Sequence, residues 1–294
     1  MRTSKLTSLS DATNLVSDGM RLALGGFGIY QHPMAFVREL VRKQRRDLTI
    51  VGHVSGIEAD MLIGAGAVKR LETSYIGHES YGLAKNTARL AESGRLEIVN
   101  YSEYTAFDRF RASQDNLPFW PCYYLAGNDI LKRNPDIKQA VCPISGRNFY
   151  AIPAAQPDVV VIHTSVGDEY GNAIIPQDRQ LIQSLDIIMS RSCSTLIVTV
   201  EKIISNAELR QRAGEVEIPA YRTTCIVEAP NGAHPTSMLG YYGSDKPHYG
   251  LYVEASATPE GFEQYLRKWI FGIKGEAEYQ TLVATSGDKN EQQE

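Results

Sequence analysis

Four cysteines occur in the 294 residues, Cys122, Cys142, Cys193 and Cys225, and none forms a C-x-x-C pair. That removes the usual spacings of zinc ribbons and dithiol redox sites. No apolar run approaches the ~18 residues that a membrane-spanning helix requires. Residues 1–10 hold two basic side chains but no apolar segment, so a secretory leader is not expected. Cys193 and Cys225 lie in apolar, strand-like runs, where a reduced cysteine acts as a small hydrophobe, and a reducing cytoplasm is the expected compartment. Positive charge is not in excess: 30 Lys and Arg stand against 34 Asp and Glu. The chain therefore lacks the field that attracts nucleic acid or an anionic membrane. The one basic run, Arg42-Lys43-Gln44-Arg45-Arg46, falls where a helix should end, and the helix dipole and solvation account for it.

Nucleotide loops are missing as well. Gly26-Phe27-Gly28 and Gly64-Ala65-Gly66 would need further glycines at Gln31 and Lys69 to complete a dinucleotide fingerprint. No G-K-[S/T] follows a glycine-rich loop. His78-Glu79-Ser80-Tyr81-Gly82 misses the nucleophile elbow, because His78 stands where the first glycine belongs. The six histidines show no metal spacing.

What is present is a βα rhythm. A short helix is predicted over Asp11–Asp18, with Ser10 as N-cap and Gly19 as stop. A strand follows at Met20–Leu24, then the turn Gly25-Gly26-Phe27-Gly28. Pro33 suits a first helical turn, and Met34, Val37, Leu40 and Val41 recur at helical spacing. Further strands are expected at 48–51, 68–76 and 96–99, and helices at 60–64 and 83–91. Val159–Ile162 and Thr195–Val200 are uninterrupted apolar runs of the kind buried on both faces of a parallel sheet. An open, mainly parallel α/β sheet with helices on both faces is the expected fold, as a single domain over residues 1–285. Residues 117–157, rich in proline and aromatics, read as a long excursion over the sheet or a β-rich insert. Within it, Phe119-Trp120-Pro121-Cys122-Tyr123-Tyr124 could shape an apolar pocket, meet a partner or pack as core. Phe262, Tyr265, Leu266, Trp269 and Ile270 form a helical stripe behind Thr258-Pro259, for core or an interface between chains. Residues 286–294 are polar and expected to be disordered.

Chemistry is expected at the carboxyl ends of the strands, where open α/β sheets bind ligands. Residues 25–28 can donate backbone N–H groups to a ligand oxygen, or they can be a tight turn packed on a helix; both readings stay open. His53-Val54-Ser55-Gly56, the segment 75–80 with His78 and Glu79, the segment 163–172 and the segment 228–235 follow other strands. If the strands are parallel, these loops share one rim. Asp168 and Asn172 read as turn chemistry rather than catalysis.

Several stretches resemble the α subunits of family I CoA-transferases, and the glutaconate CoA-transferase type in pattern. They are Asp18-Gly19-Met20 leading to Gly25-Gly26-Phe27-Gly28, Tyr75-Ile76-Gly77, and Ala91 to Glu97. Further along come Asp168-Glu169-Tyr170-Gly171-Asn172, Val200-Glu201-Lys202-Ile203-Ile204, and Val227 to Pro235. The resemblance spans about residues 8–272. It implies an α/β chain that pairs with a β subunit in a heterodimer or heterotetramer. The substrates would be a coenzyme A thioester and a carboxylic acid, with no resident cofactor. The family's nucleophile is a glutamate in an S-E-N-G-type motif on the β side, and no S-E-N-G occurs here. Glu79 is the nearest counterpart and a weak one. Gly25, Gly26, Phe27, Gly28, His53, Ser55, Gly56, His78 and Glu79 are the expected substrate and oxyanion contacts. The run 33–38 also resembles the α subunit of steroid-ring-opening CoA-ester hydrolases. A non-catalytic CoA-ester-binding subunit is the third reading.

Overall fold

A computed structural model describes residues 3–176 and 181–287. The strands are β1 (Arg21–Leu24), β2 (Leu48–Val51), β3 (Val54–Ser55), β4 (Val68–Thr73), β5 (Tyr75–Ile76), β6 (Glu97–Asn100), β7 (Phe119–Cys122), β8 (Lys138–Val141), β9 (Asn148–Pro153), β10 (Val159–Asp168), β11 (Ala173–Ile174), β12 (Thr195–Ile204), β13 (Val216–Ile218) and β14 (Cys225–Glu228). The helices are α1 (Leu9–Thr13), α2 (Met34–Arg42), α3 (Ile57–Gly64), α4 (Lys85–Glu92), α5 (Glu103–Gln114), α6 (Ile130–Arg133), α7 (Leu181–Ser190), α8 (Asn206–Gln211), α9 (Lys246–Ala255), α10 (Pro259–Leu266) and α11 (Glu276–Gly287).

The main sheet runs parallel in the order β6-β4-β2-β1-β10-β12-β14. A β10–β11 hairpin and β13 add an antiparallel extension beyond β1. The chain builds outward from β1 to β6, returns to the middle as β10, and then builds the other way. The strand order therefore reverses between β1 and β10, and the helices on either side diverge there.

Successive side chains of a strand point to opposite faces, and the central strands show it. Leu22, Leu24, Val159 and Val161 face a core shared with α2, α3, α9, α10 and α11. Ala23, Val160 and Ile162 face a second core with α5 and α7. Each fully buried Leu, Ile or Val contributes roughly 1.5–3 kcal/mol relative to exposure. The stripe Phe262, Tyr265, Leu266, Trp269 and Ile270 is buried inside the chain, so it is core.

Glu72 ties the sheet to α5. Its carboxylate meets Arg21 of β1, Arg70 of β4 and Arg109 of α5. Burial alone would raise this carboxyl, but Arg21 and Arg109 outweigh it and hold the pKa at about 2.

Segment 117–157 contains a three-stranded antiparallel sheet, β7-β9-β8, so its β-rich reading is the one seen. Trp120 and Cys122 turn toward a small core with Val99 and Tyr101, while Tyr123 and Tyr124 are exposed. Several expected boundaries shift. The first helix is Leu9–Thr13, capped by Ser8 rather than Ser10, because the Ser8 hydroxyl accepts the Asp11 N–H. α3 begins at Ile57, three residues before the expected start. The strand expected over 68–76 breaks at Ser74, and β5 pairs with β3 in a separate ribbon. Helix α11 continues to Gly287, into the stretch expected to be disordered. The rest of that expected tail lies outside the described residues. Among the described residues no helix is long and apolar enough to cross a membrane.

Candidate functional site

The carboxyl end of β1 opens at the strand-order reversal. Gly26 and Gly28 take φ values of +94° and +61°, where side chains are disfavoured. A Cβ on Gly26 would sit 2.6 Å from the Tyr30 carbonyl oxygen and from His32 Nδ1, so no side chain fits. A Cβ on Gly56 would overlap the Gly28 carbonyl oxygen, which locks the first two strand-end loops together.

The turn's own donors are all engaged. Gly25 N–H donates to Val161 O at 2.8 Å, Phe27 N–H to Tyr30 O at 2.9 Å and Gly28 N–H to Val54 O at 3.0 Å. Gly26 N–H donates to Asp186 Oδ1 at 3.0 Å. The expectation that residues 25–28 offer free N–H groups to an oxyanion is therefore corrected: the turn spends them on its own shape. What it presents outward is the half-buried Phe27 ring.

Two buried acids not singled out from the sequence hold this turn. His32 lies 2.8 Å from Gly25 O through Nδ1 and 3.0 Å from Gly28 O through Nε2. Glu58 Oε2 lies 3.1 Å from His32 Nε2, and burial raises the Glu58 carboxyl above its usual range. Gly56 N–H also donates to Glu58, which accounts for the place of Gly56. On the other side stands Asp186 of α7, fully buried, with Gly26 N–H and Gln31 Nε2 as its polar partners. Burial pushes its carboxyl up to about 7.

Beside Phe27 a cavity of about 330 Å³ is lined by Phe27, His53, Glu103, Tyr104, Phe107, Asp108, Arg111 and Leu185. Burial pushes His53 down to about 4, so it is neutral at physiological pH. Its Nε2 donates to Glu103 O at 3.1 Å, and its ring stands 5.7 Å from Phe27 and 6.1 Å from Phe107. Ser102 caps α5 and so fixes where Glu103, Tyr104, Phe107 and Arg111 fall around one side of the helix. Tyr124 OH bonds Asp108, which is how the insert reaches the cavity wall.

Of the expected contacts, Phe27 and His53 line the cavity. Gly25, Gly26, Gly28, Ser55 and Gly56 form its buried backing. Ser55 is itself buried, with its hydroxyl 3.5 Å from Thr73 Oγ1. His78 is a correction: it is fully buried, 3.2 Å from Tyr249 OH and 3.7 Å from Asp60, because α9 covers it. Glu79 is exposed at φ +50°, with its carboxylate against Gly28 and away from the cavity lining. Asp168 accepts the N–H groups of Tyr170 and Asn172, so it shapes a turn. His163 to Asp168 belong to β10 itself rather than to a loop. The loop after β14 joins the rim through Glu201, which meets His163 at 2.8 Å and accepts Asn231 N–H at 2.7 Å. The α5 residues and Asp186 were missed; the Ser102-Glu103 cap was the available signal.

A glycine-turned strand end, an apolar cavity at the strand-order reversal and helices on both faces define a ligand-handling α/β protein of the open parallel class. The chain belongs to the coenzyme A transferase family, whose model matches residues 6–229. It is 31% identical to a glutaconate CoA-transferase subunit of Acidaminococcus fermentans, over 94% of this chain and 91% of that one. The crystal structure of that organism's glutaconate coenzyme A-transferase superposes with a TM-score of 0.90 at 29% identity, covering 96% of this chain and 94% of the other. The chain is 29% identical to the IpdA subunit of a cholesterol ring-cleaving hydrolase from Mycobacterium tuberculosis, over 96% and 98% of the two chains. An uncharacterized Archaeoglobus fulgidus protein is 34% identical over 93% of this chain, which spans 61% of that protein's length.

Proposed function

We propose that this chain is the α subunit of a heteromeric, cytoplasmic CoA-transferase, and that its catalytic glutamate comes from a β subunit carrying an S-E-N-G-type motif. The observation that carries the reading is the apolar cavity at the strand-order reversal, beside Phe27 and His53, in a chain with no S-E-N-G of its own. The partner's carboxylate attacks the thioester carbonyl and expels CoA thiolate, leaving a mixed anhydride. The thiolate then attacks the glutamyl carbonyl of the anhydride, which releases the first acid and leaves a glutamyl-CoA thioester. The acceptor acid takes CoA by the reverse of these steps. This chain contributes the acyl cavity, a water-poor wall and the rigid glycine turn beneath it. Co-expression with a partner bearing S-E-N-G, assayed for CoA transfer from an acyl-CoA to acetate, tests the reading. Transfer by this chain alone refutes the need for a partner.

One observation favours a second reading. Glu103 brings an exposed carboxylate of this chain to the same cavity, next to neutral His53. In a CoA-ester hydrolase that group would take a proton from water. Loss of CoA ester with no acceptor acid present, abolished by Glu103→Gln, supports the hydrolase. Tight CoA-ester binding without turnover by either route leaves a binding subunit.

A further inference from the structure

We propose that the cavity beside Phe27 selects acyl groups that end without charge and are wide enough to carry a ring, and rejects acyl groups that end in a second carboxylate. The inference rests on the reading that an acyl-CoA binds at this strand edge. The cavity holds about 330 Å³. A void of about 150 Å³ already takes a benzene ring, so a ring with substituents fits here. Phe27, Phe107, Tyr104 and Leu185 supply apolar and aromatic walls.

The charged groups at the wall have the wrong sign for a dicarboxylate. Glu103 and Asp108 are carboxylates, and Arg111 is the one cation among the described lining residues. Arg111 is committed elsewhere: its guanidinium stacks 4.5 Å above the Trp120 ring and lies 3.4 Å from Asp108. Tyr124 OH fixes the other oxygen of Asp108. His53 cannot serve as a cation, because burial keeps it neutral. A distal carboxylate entering this cavity would lose water and meet two like charges, with no free partner among the described residues. An uncharged ring loses only its hydration and gains the aromatic walls.

The test uses the complex of this chain with its β partner and two probes, phenylacetyl-CoA and glutaryl-CoA. Calorimetric affinities are measured for each, and turnover with acetate is followed separately. Phenylacetyl-CoA is expected to bind at least about tenfold more tightly, the order of discrimination one pocket contact supplies. Tyr104→Lys, at a side chain that is 78% exposed and so safe for folding, is expected to reduce that ratio by adding a cation. Phe107→Arg provides a second such variant. Equal affinities, a preference for glutaryl-CoA, no measurable binding of either probe, or a ratio unchanged in Tyr104→Lys each overturn the selectivity. The affinities are read whether or not transfer occurs, so absent turnover counts against the transferase reading and leaves the selectivity to be decided by binding.

Discussion

Asp186 offers the sharpest physical test. It is fully buried, and among the described residues its polar partners are the Gly26 N–H and the Gln31 amide, with no cation. Its carboxyl rises from 3.8 to about 7, chiefly through burial. A raised acid pKa means that the folded state holds a proton which the unfolded chain releases. Stability is then fully present below about pH 4 and falls as pH climbs toward 7. At about 1.4 kcal/mol per tenfold in proton affinity, the whole loss is about 4 kcal/mol. Asp186→Asn keeps an acceptor for Gly26 and removes the charge. It disturbs the Gln31 contact by an amount that does not depend on pH, so only the change with pH is diagnostic. Urea denaturation of both proteins at pH 5 and pH 8 measures it. The variant is expected to gain about 3 kcal/mol on the parent across that window, the remaining loss lying below pH 5. A gap that stays constant between pH 5 and pH 8 refutes an uncompensated carboxyl beneath the glycine turn.

Two further variants probe the same turn. Gly26→Ala forces a side chain into φ +94° and against the Tyr30 carbonyl, and a loss of about 2–4 kcal/mol is expected in chemical denaturation. His32→Ala removes the ring that bridges two glycine carbonyls and leaves Glu58 buried without its partner, for an expected loss of about 3–5 kcal/mol in the same assay. If either variant melts like the parent, the turn is not the rigid backing described.

The parts of the site legible in the sequence are those made by neighbours along the chain. A strand that ends in Gly25-Gly26-Phe27-Gly28 announces a turn with positive φ. Helix α5 was invisible for a physical reason. Its buried side mixes Ala106, Phe110 and Ala112 with Thr105, Asp108 and Arg109, the last two held by Tyr124 and Glu72, so no unbroken hydrophobic stripe marks it. His53 and His78 look alike in sequence, each following a strand. Their fates separate because β5 pairs with β3 and α9 brings Tyr249 over His78, a contact across 171 positions. Nothing local distinguishes a histidine facing a cavity from one buried under such a helix.

Strand order is the decisive case. The βα rhythm implies parallel strands and a shared rim, but it leaves open which strand ends are neighbours. The cavity exists because β10 returns to lie beside β1, so α5 and α7 meet over the glycine turn while α2 and α3 cover the opposite face. That return is fixed by Val159, Val160 and Val161 pairing with Leu22, Ala23 and Leu24, six side chains that read only as generic strand. Placing β10 at the outer edge instead would keep every local motif and lose the cavity. The chemistry of this chain is therefore carried less by any one motif than by a pairing whose partners lie 137 residues apart.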